Sequence, residues 1–306
     1  FFSEELLNAK RIFNETNNIN LKKLIKNVEK HAIKIEYLEH VNAFTLQSSI
    51  SKTNITMLAG AIICGDTRLI DHVFLMKRQP IIAIDGPAGS GKSTVTKLLA
   101  KKLNFIYLDT GAMYRALSWY LINEKINFEN VQELSAFLKN VSITFKTVSK
   151  SLQEVIINNH VVTDKIRSQE INSIVSSIAS IKQVREFLVN EQRKIGNKGG
   201  IVAEGRDIGS KVFPNSELKI FLTATIDERA RRRKLELEKQ GCGEISFKEL
   251  KEQIKKRDFD DSNRKISPLI KAENAIEIVS DGYDIEQITN KILSIYLETI
   301  PKELTP

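Results

Sequence analysis

The sequence predicts an α/β protein with a central parallel sheet, preceded by a small α+β segment. Three observations carry this. From Ile81 onward, short apolar runs alternate with helical stretches, the pattern of parallel strands joined by crossover helices. A glycine-rich turn, Gly86-Pro87-Ala88-Gly89-Ser90-Gly91-Lys92-Ser93, sits between the first of those strands and the first of those helices. The residues before Pro80 lack that alternation and read as two amphipathic stretches followed by period-two runs.

Taken in order, the first segment (1–77) opens with a helix over Glu4–Phe13, apolar at Leu6, Leu7, Ala9, Ile12 and Phe13, and a second over Leu21–Val28. Strand-like alternation follows at Ile33–Tyr37 and Thr56–Ile63. The segment carries no catalytic cluster. A basic joint, Met76-Lys77-Arg78-Gln79-Pro80, leads into the second segment (78–306). Its strands are expected at Ile81–Asp85, Phe105–Leu108, Gly200–Ala203, Leu218–Leu222 and Ala275–Val279. Helices are expected at Ser93–Leu103, Met113–Ile122, Val184–Lys194, Ile226–Lys239 and Ile285–Leu297. An insertion at about 128–180 breaks the alternation and is partly strand-like, at Ser142–Lys146 and Val155–Ile157.

At 306 residues the chain suits about two domains. With 42% hydrophobic and 27% charged residues it has ordinary globular composition, and no stretch approaches the roughly 18 apolar residues of a membrane span. Phe1-Phe2-Ser3-Glu4-Glu5 is no secretory signal, and the missing initiator Met suggests a start inside a longer protein. Cys64 and Cys242 are expected to be unpaired, reduced thiols of a cytoplasmic protein. His31, His40, His72 and His160 form no ligand spacing and read as structural or surface residues. The net charge of +8 suits anionic partners in general, so the positions of the arginines must decide.

Residues 86–93 fit G-x-x-x-x-G-K-S/T, with an apolar strand before and a helix after. Glycine at Gly86, Gly89 and Gly91 lets backbone N–H groups turn around phosphate oxygens, and the helix N-terminus adds partial positive charge. Lys92 is expected to reach the β- and γ-phosphates, and Ser93 to hold Mg²⁺. No Asn-Lys-x-Asp element reads guanine, and no apolar strand ends in two acidic residues. Arginines do cluster after strands, in Asp109-Thr110-Gly111-Ala112-Met113-Tyr114-Arg115 and Glu204-Gly205-Arg206-Asp207, and in the late run Lys256–Arg264. Guanidinium groups bind phosphate bidentately and stay charged, as a site for two phosphorylated molecules requires. Ligands of an open parallel sheet bind beyond the strands' carboxyl ends, so the first two clusters and the glycine-rich loop share one edge.

On these runs, residues 80–300 resemble bacterial cytidylate (CMP) kinase. The matching runs are Ile84 to Thr94, Leu108 to Arg115, Ile166-Arg167-Ser168-Gln169-Glu170, Gly205 to Gly209, and Arg257-Asp258 through Asn263-Arg264. The resemblance implies a P-loop nucleoside monophosphate kinase fold with an inserted monophosphate-binding region (about 128–180) and a mobile lid (about 240–264). It implies ATP as co-substrate with Mg²⁺, and CMP or dCMP as acceptor. Gly86, Pro87, Ala88, Gly89, Ser90, Gly91, Lys92, Ser93 and Thr94 then hold ATP, flanked by Arg229, Arg232 and Arg233. Thr110, Arg115, Arg206 and Arg264 bind the acceptor phosphate, Lys92, Arg206 and Arg264 being catalytic. Ser176, Arg185 and Asp207 read the cytosine edge, and Arg257 and Asp261 contact the ribose. Two positions depart from the usual pattern: Gly is common where this chain has Ser93, and Ser where it has Thr110, which keeps the hydroxyl.

Residues 1–77 resemble the C-terminal end of pantothenate synthetase (pantoate–β-alanine ligase), on Ile35 to Val41, Thr45-Leu46-Gln47, Leu58 to Ala61 and Thr67 to Asp71. The order, ligase end then kinase, fits a fusion found in cyanobacteria. The ligase's His-x-Gly-His element and its Ser-Arg-Asn signature are absent, so no ligase activity is expected of these residues. The alternative enzyme is a P-loop kinase for another small acceptor, such as UMP or shikimate, which has no need of the insertion. An interaction module whose basic surface binds nucleic acid leaves the glycine-rich loop unexplained; neither a nucleic acid polymer nor a membrane is expected as partner.

Overall fold

The computed structural model describes residues 1–31, 33–48, 53–147, 153–239 and 246–305. Cys242, the stretch 148–152 of the expected insertion and the stretch 240–245 of the expected lid lie outside the described residues. The chain divides into two units: Phe1–Pro80 with Ile295–Pro306, and Ile81–Ser294.

The first unit begins with helices α1 (Phe2–Thr16) and α2 (Leu21–Glu29), followed by strands β1 (Lys34–Asn42), β2 (Ile55–Cys64) and β3 (Thr67–Met76). Helix α1 buries Phe2, Leu6, Ala9 and Phe13, which recur at helical spacing along one face. It stops at Asn17, in the left-handed region at φ 54°, whose N–H returns to Phe13 O. Asn20 caps α2 by accepting from Lys23 N. The strands form one antiparallel sheet with β2 in the centre, packed on a core of Leu6, Phe13, Val28, Leu58, Ile62 and Leu75. Strand β3 has no counterpart in the sequence reading. It is an edge strand whose Leu69 and Ile70 are exposed, so it lacks the clean alternation that a half-buried strand displays.

The second unit carries β4 (Ile81–Asp85), α3 (Lys92–Leu103), β5 (Ile106–Asp109), α4 (Thr110–Asn123), α5 (Val131–Leu138), β6 (Ile143–Thr147), β7 (Gln153–Ile157), β8 (His160–Val161), α6 (Gln169–Ile178) and α7 (Lys182–Ile195). It continues with β9 (Ile201–Gly205), β10 (Leu218–Thr223), α8 (Ile226–Lys239), α9 (Phe247–Ser262), β11 (Ile276–Val279) and α10 (Ile285–Thr299), whose residues from Ile295 on belong to the first unit. Five strands form a parallel sheet in the order β11-β10-β4-β9-β5. Strands β4 and β9 are buried along their whole length, which explains their unbroken apolar runs. The expected strands and helices are all present, with ends moved by a few residues.

The insertion contributes α5, a small antiparallel sheet β6-β7-β8, and α6. Its Leu134, Leu138, Ile143, Val155, Ile157, Val175 and Ile178 share one core with α4 and the sheet. Register fixes the functional edge: Asp85 pairs with Gly205 and Asp109 with Glu204, so the segments following β4, β5 and β9 leave the sheet side by side.

Candidate active site

The glycine-rich loop leaves β4 through Gly86, whose φ of 149° is one that side chains rarely adopt; a Cβ there would lie 2.0 Å from Leu222 O. Gly89 and Gly91 also have positive φ, at 77° and 87°. The loop ends on α3, with Lys92 as its first residue. The Lys92 ammonium is folded into the loop, donating to Pro87 O at 2.6 Å, and Ser90 Oγ donates to the same carbonyl at 3.1 Å. Burial pushes its pKa well below the ordinary value, and the nearby Arg206 pushes it the same way. An anion in the loop would reverse that cost.

Just before the loop, Asp85 is buried and accepts from Ile208 N and Gly209 N, both at 2.8 Å. It ties the end of β4 to the turn that follows β9. Burial raises its pKa to about 6, against the pull of those two N–H groups.

On β9, Glu204 is a buried carboxylate with two hydroxyl donors: Ser93 to one oxygen at 2.8 Å and Tyr107 to the other at 2.5 Å. Burial raises its pKa, and Asp109 adds to the effect, while Lys92 and the two hydroxyls oppose it. Thr110 Oγ1 donates to Glu204 O at 2.6 Å, and Asp109 caps α4 by accepting from Ala112 N.

Beyond these lies an array of guanidinium groups. Arg206 Nε donates to Asp261 Oδ2 at 2.8 Å, and Arg264 Nη1 stands 3.7 Å from Asp261 Oδ1. Arg115, Arg257 and Arg264 each have a buried Nε with no hydrogen-bond partner. Burial lowers the pKa of all three, that of Arg257 to about 10, and in each case other arginines deepen the shift. Burial by itself would raise Asp261, but Arg206, Arg264 and Arg257 hold it below the ordinary carboxylate value. Buried guanidinium donors without a partner are the kind of group that an anion satisfies.

Alongside, Arg185 and Asp207 are both buried. Arg185 Nη2 reaches Asp207 Oδ2 at 3.4 Å, and Nη1 donates to the Tyr114 hydroxyl at 3.0 Å. Its Nε also lacks a partner. The pair therefore offers acceptors and donors side by side. Ser176 is exposed on α6; Arg233 is exposed on α8 and paired with Glu236 at 2.7 Å, yet it is among the arginines that lower the pKa of Arg257. Arg232 donates to Ser280 O at 2.8 Å and Ser280 Oγ at 3.0 Å, and Ser280 Oγ donates to Ser90 O at 3.1 Å, so it braces the phosphate loop from outside. Thr94 is exposed at the start of α3. Arg229 is buried with its guanidinium engaged by protein acceptors.

Four residues of the site had no separate role in the sequence reading: Asp85, Tyr107, Glu204 and Tyr114. Asp85 and Glu204 did leave a signal, an acidic residue at the carboxyl end of an otherwise apolar buried strand. Among the described residues, no group of three or more His, Cys, Asp or Glu could hold a metal by itself.

Residues 82–298 match the family model described as cytidylate kinase. Among curated proteins, the chain is 63% identical over 303 residues to the bifunctional pantoate ligase/cytidylate kinase of Prochlorococcus marinus (strain AS9601), covering 99% of this chain and 60% of that protein. It is 51% identical to the protein of the same description in strain NATL1A, covering 97% of this chain and 58% of that one. The chain thus spans about 60% of the length of the curated relatives it matches. Among solved structures, it is similar to shikimate kinase from Acinetobacter baumannii in complex with shikimate, at 13% identity and a TM-score of 0.39, covering 73% of this chain and 96% of that one.

Proposed function

This chain belongs to the cytidylate kinase family, and from that premise we propose that it transfers the γ-phosphate of ATP to CMP or dCMP, giving ADP and CDP or dCDP. One observation carries the reading: buried Nε donors without a partner on Arg115, Arg257 and Arg264, with Arg257 near enough to the phosphate-loop Lys92 to lower its pKa. The loop and Lys92 take the donor triphosphate. Arg115, Arg206, Arg264 and the Thr110 hydroxyl take the acceptor phosphate, and Arg257 with Asp261 takes the ribose.

Cytosine presents an amino donor beside N3 and O2 acceptors. Asp207 suits the amino group and Arg185 the acceptors. Uracil has an oxygen where cytosine has its amino group, which leaves a buried carboxylate facing an oxygen, a mismatch of about 1–3 kcal/mol. The acceptor phosphate is itself the nucleophile, so no general base is required; catalysis is alignment and charge neutralisation.

Magnesium fits the donor set of this site. The Ser93 hydroxyl and the Glu204 carboxylate are hard oxygen groups hydrogen-bonded to each other at the end of the phosphate loop, and a triphosphate supplies the remaining oxygens. When bound, the ion neutralises charge on the β- and γ-phosphates. Among the described residues, no helix is long and apolar enough to cross a membrane, and cytoplasmic action is part of the proposal. The ligase named in the relatives is proposed for the whole protein; these 306 residues are expected to form no pantothenate from pantoate, β-alanine and ATP. Phosphorus NMR of a mixture of the protein with MgATP and CMP tests the main reading: signals of ADP and CDP should grow in equal amounts, whereas ADP with free phosphate would reject CMP as acceptor.

A further inference from the structure

Helices α8 and α9 pack together, and one bidentate ion pair joins them at the phosphate loop. Arg229 Nη1 donates to Asp258 Oδ1 at 2.9 Å and Nη2 to Oδ2 at 2.6 Å. The same Nη1 donates to Ala88 O, inside the loop, at 3.2 Å, and Nε donates to Ala224 O at 3.1 Å. The base of the side chain lies against the loop as well: a Cβ on Gly89 would sit 3.3 Å from Arg229 Cβ. Arg229 is 4% exposed. A guanidinium has five N–H donors, and four hydrogen bonds to protein leave it almost nothing to offer a nucleotide.

Asp258 follows Arg257 directly and precedes Asp261 by one helical turn. Asp261 holds Arg206 and faces Arg264. Besides Lys251, which pairs with Asp227 of α8, two carboxylates tie α9 to the groups of the site. Asp258 fixes it to the loop that takes the donor phosphates, and Asp261 fixes it to the arginines of the acceptor side.

We propose that Arg229 is a positioning residue that carries the geometry of the phosphate loop through Asp258 to α9, and so aligns Arg257 and Asp261 when the donor nucleotide binds. The proposal rests on the kinase reading for what each half holds. A planar fork on a carboxylate fixes angle as well as distance, which a single contact cannot do. Movement of Ala88 on binding phosphate would reach α9 through this guanidinium, which contacts both.

Hydrogen exchange with and without MgADP tests this on the wild type and on Asp258→Asn. The Asp258 side chain is 26% exposed and the replacement is isosteric, and far-UV circular dichroism with the thermal midpoint checks that each variant is folded before exchange is compared. In the wild type, MgADP should slow exchange in both the loop (86–93) and α9. In Asp258→Asn, the loop should still be protected and α9 should not. Arg229→Lys, which keeps the charge but loses the fork, should give the same split. Steady-state rates should agree: kcat for CMP falls about 10- to 100-fold while KM for ATP stays within about threefold. Protection of α9 that persists in Asp258→Asn, or that is absent from the wild type, would overturn the proposal. A wild type that protects α9 but does not phosphorylate CMP would reject the acceptor while leaving the bridge standing.

Discussion

The Ser93 hydroxyl donates to Glu204 across 2.8 Å, joining the last residue of the phosphate loop to the neighbouring strand of the sheet. Tyr107 occupies the other carboxylate oxygen, so Glu204 has one fixed orientation. Glu204→Gln keeps the shape but removes the charge. Metal affinity in the presence of ADP, followed by the paramagnetic resonance of Mn²⁺, should fall about 10- to 100-fold. ADP affinity without metal should barely move. Unchanged metal affinity would remove Glu204 from the metal site.

Arg206 lies between the two halves of the site, held by Asp261 and close enough to Lys92 to lower its pKa. Arg206→Ala should lower kcat for CMP by about 100-fold or more, because the transferring phosphoryl group loses a fixed cation. ADP binding, measured by calorimetry, should stay within about threefold. Equal losses in both would place Arg206 in the fold rather than in the reaction.

The phosphate loop was legible in the sequence because its constraints are local. Positive φ at Gly86, Gly89 and Gly91 demands glycine, and the flanking strand and helix show their own periodicities. The sheet was legible for the same reason, since its central strands are apolar up to the acidic residue near each carboxyl end. Helix α9 was visible only as a charged run. Of its residues, only Leu250 and Asp261 are buried, so it has no apolar stripe, and its partners are charges on other elements. The roles of Glu204 and Arg229 were hidden by distance: Ser93 lies 111 residues from Glu204, and Arg229 lies 29 from Asp258. No local pattern records such pairings.

Gly86 tolerates no side chain, because a Cβ would meet Leu222 O at 2.0 Å on a backbone that disfavours side chains. Gly86→Ala should abolish ADP binding and lower the thermal midpoint by several degrees, as a shift of about 1 kcal/mol or more would. Wild-type ADP affinity in this variant would show that the loop can relax.

The Arg185–Asp207 pair predicts a shift in base preference. Asp207→Asn replaces one acceptor oxygen by a donor that can meet uracil's oxygen. The CMP-to-UMP ratio of kcat/KM should fall by about 5- to 150-fold, the equivalent of about 1–3 kcal/mol. A preserved ratio would assign the base edge to other residues.

Asp85 predicts a pH dependence. Its pKa is about 6 in the fold against 3.8 ordinarily, so the folded protein keeps a proton that the unfolded chain has lost. Stability from this group is therefore complete near pH 4 and is lost as pH rises through 6. In denaturant unfolding, the wild type should gain on Asp85→Asn as the pH is lowered from 7 to 5. A difference that does not change with pH would contradict the burial argument.

On the proposed function, the phosphate loop receives ATP and the arginine cluster a cytidine monophosphate. ADP release, coupled to an optical readout, should be measured with CMP, dCMP, UMP, AMP, GMP and shikimate as acceptors at equal concentration. CMP and dCMP should be turned over well above the rest. Equal or faster turnover of UMP, AMP or shikimate would contradict the account.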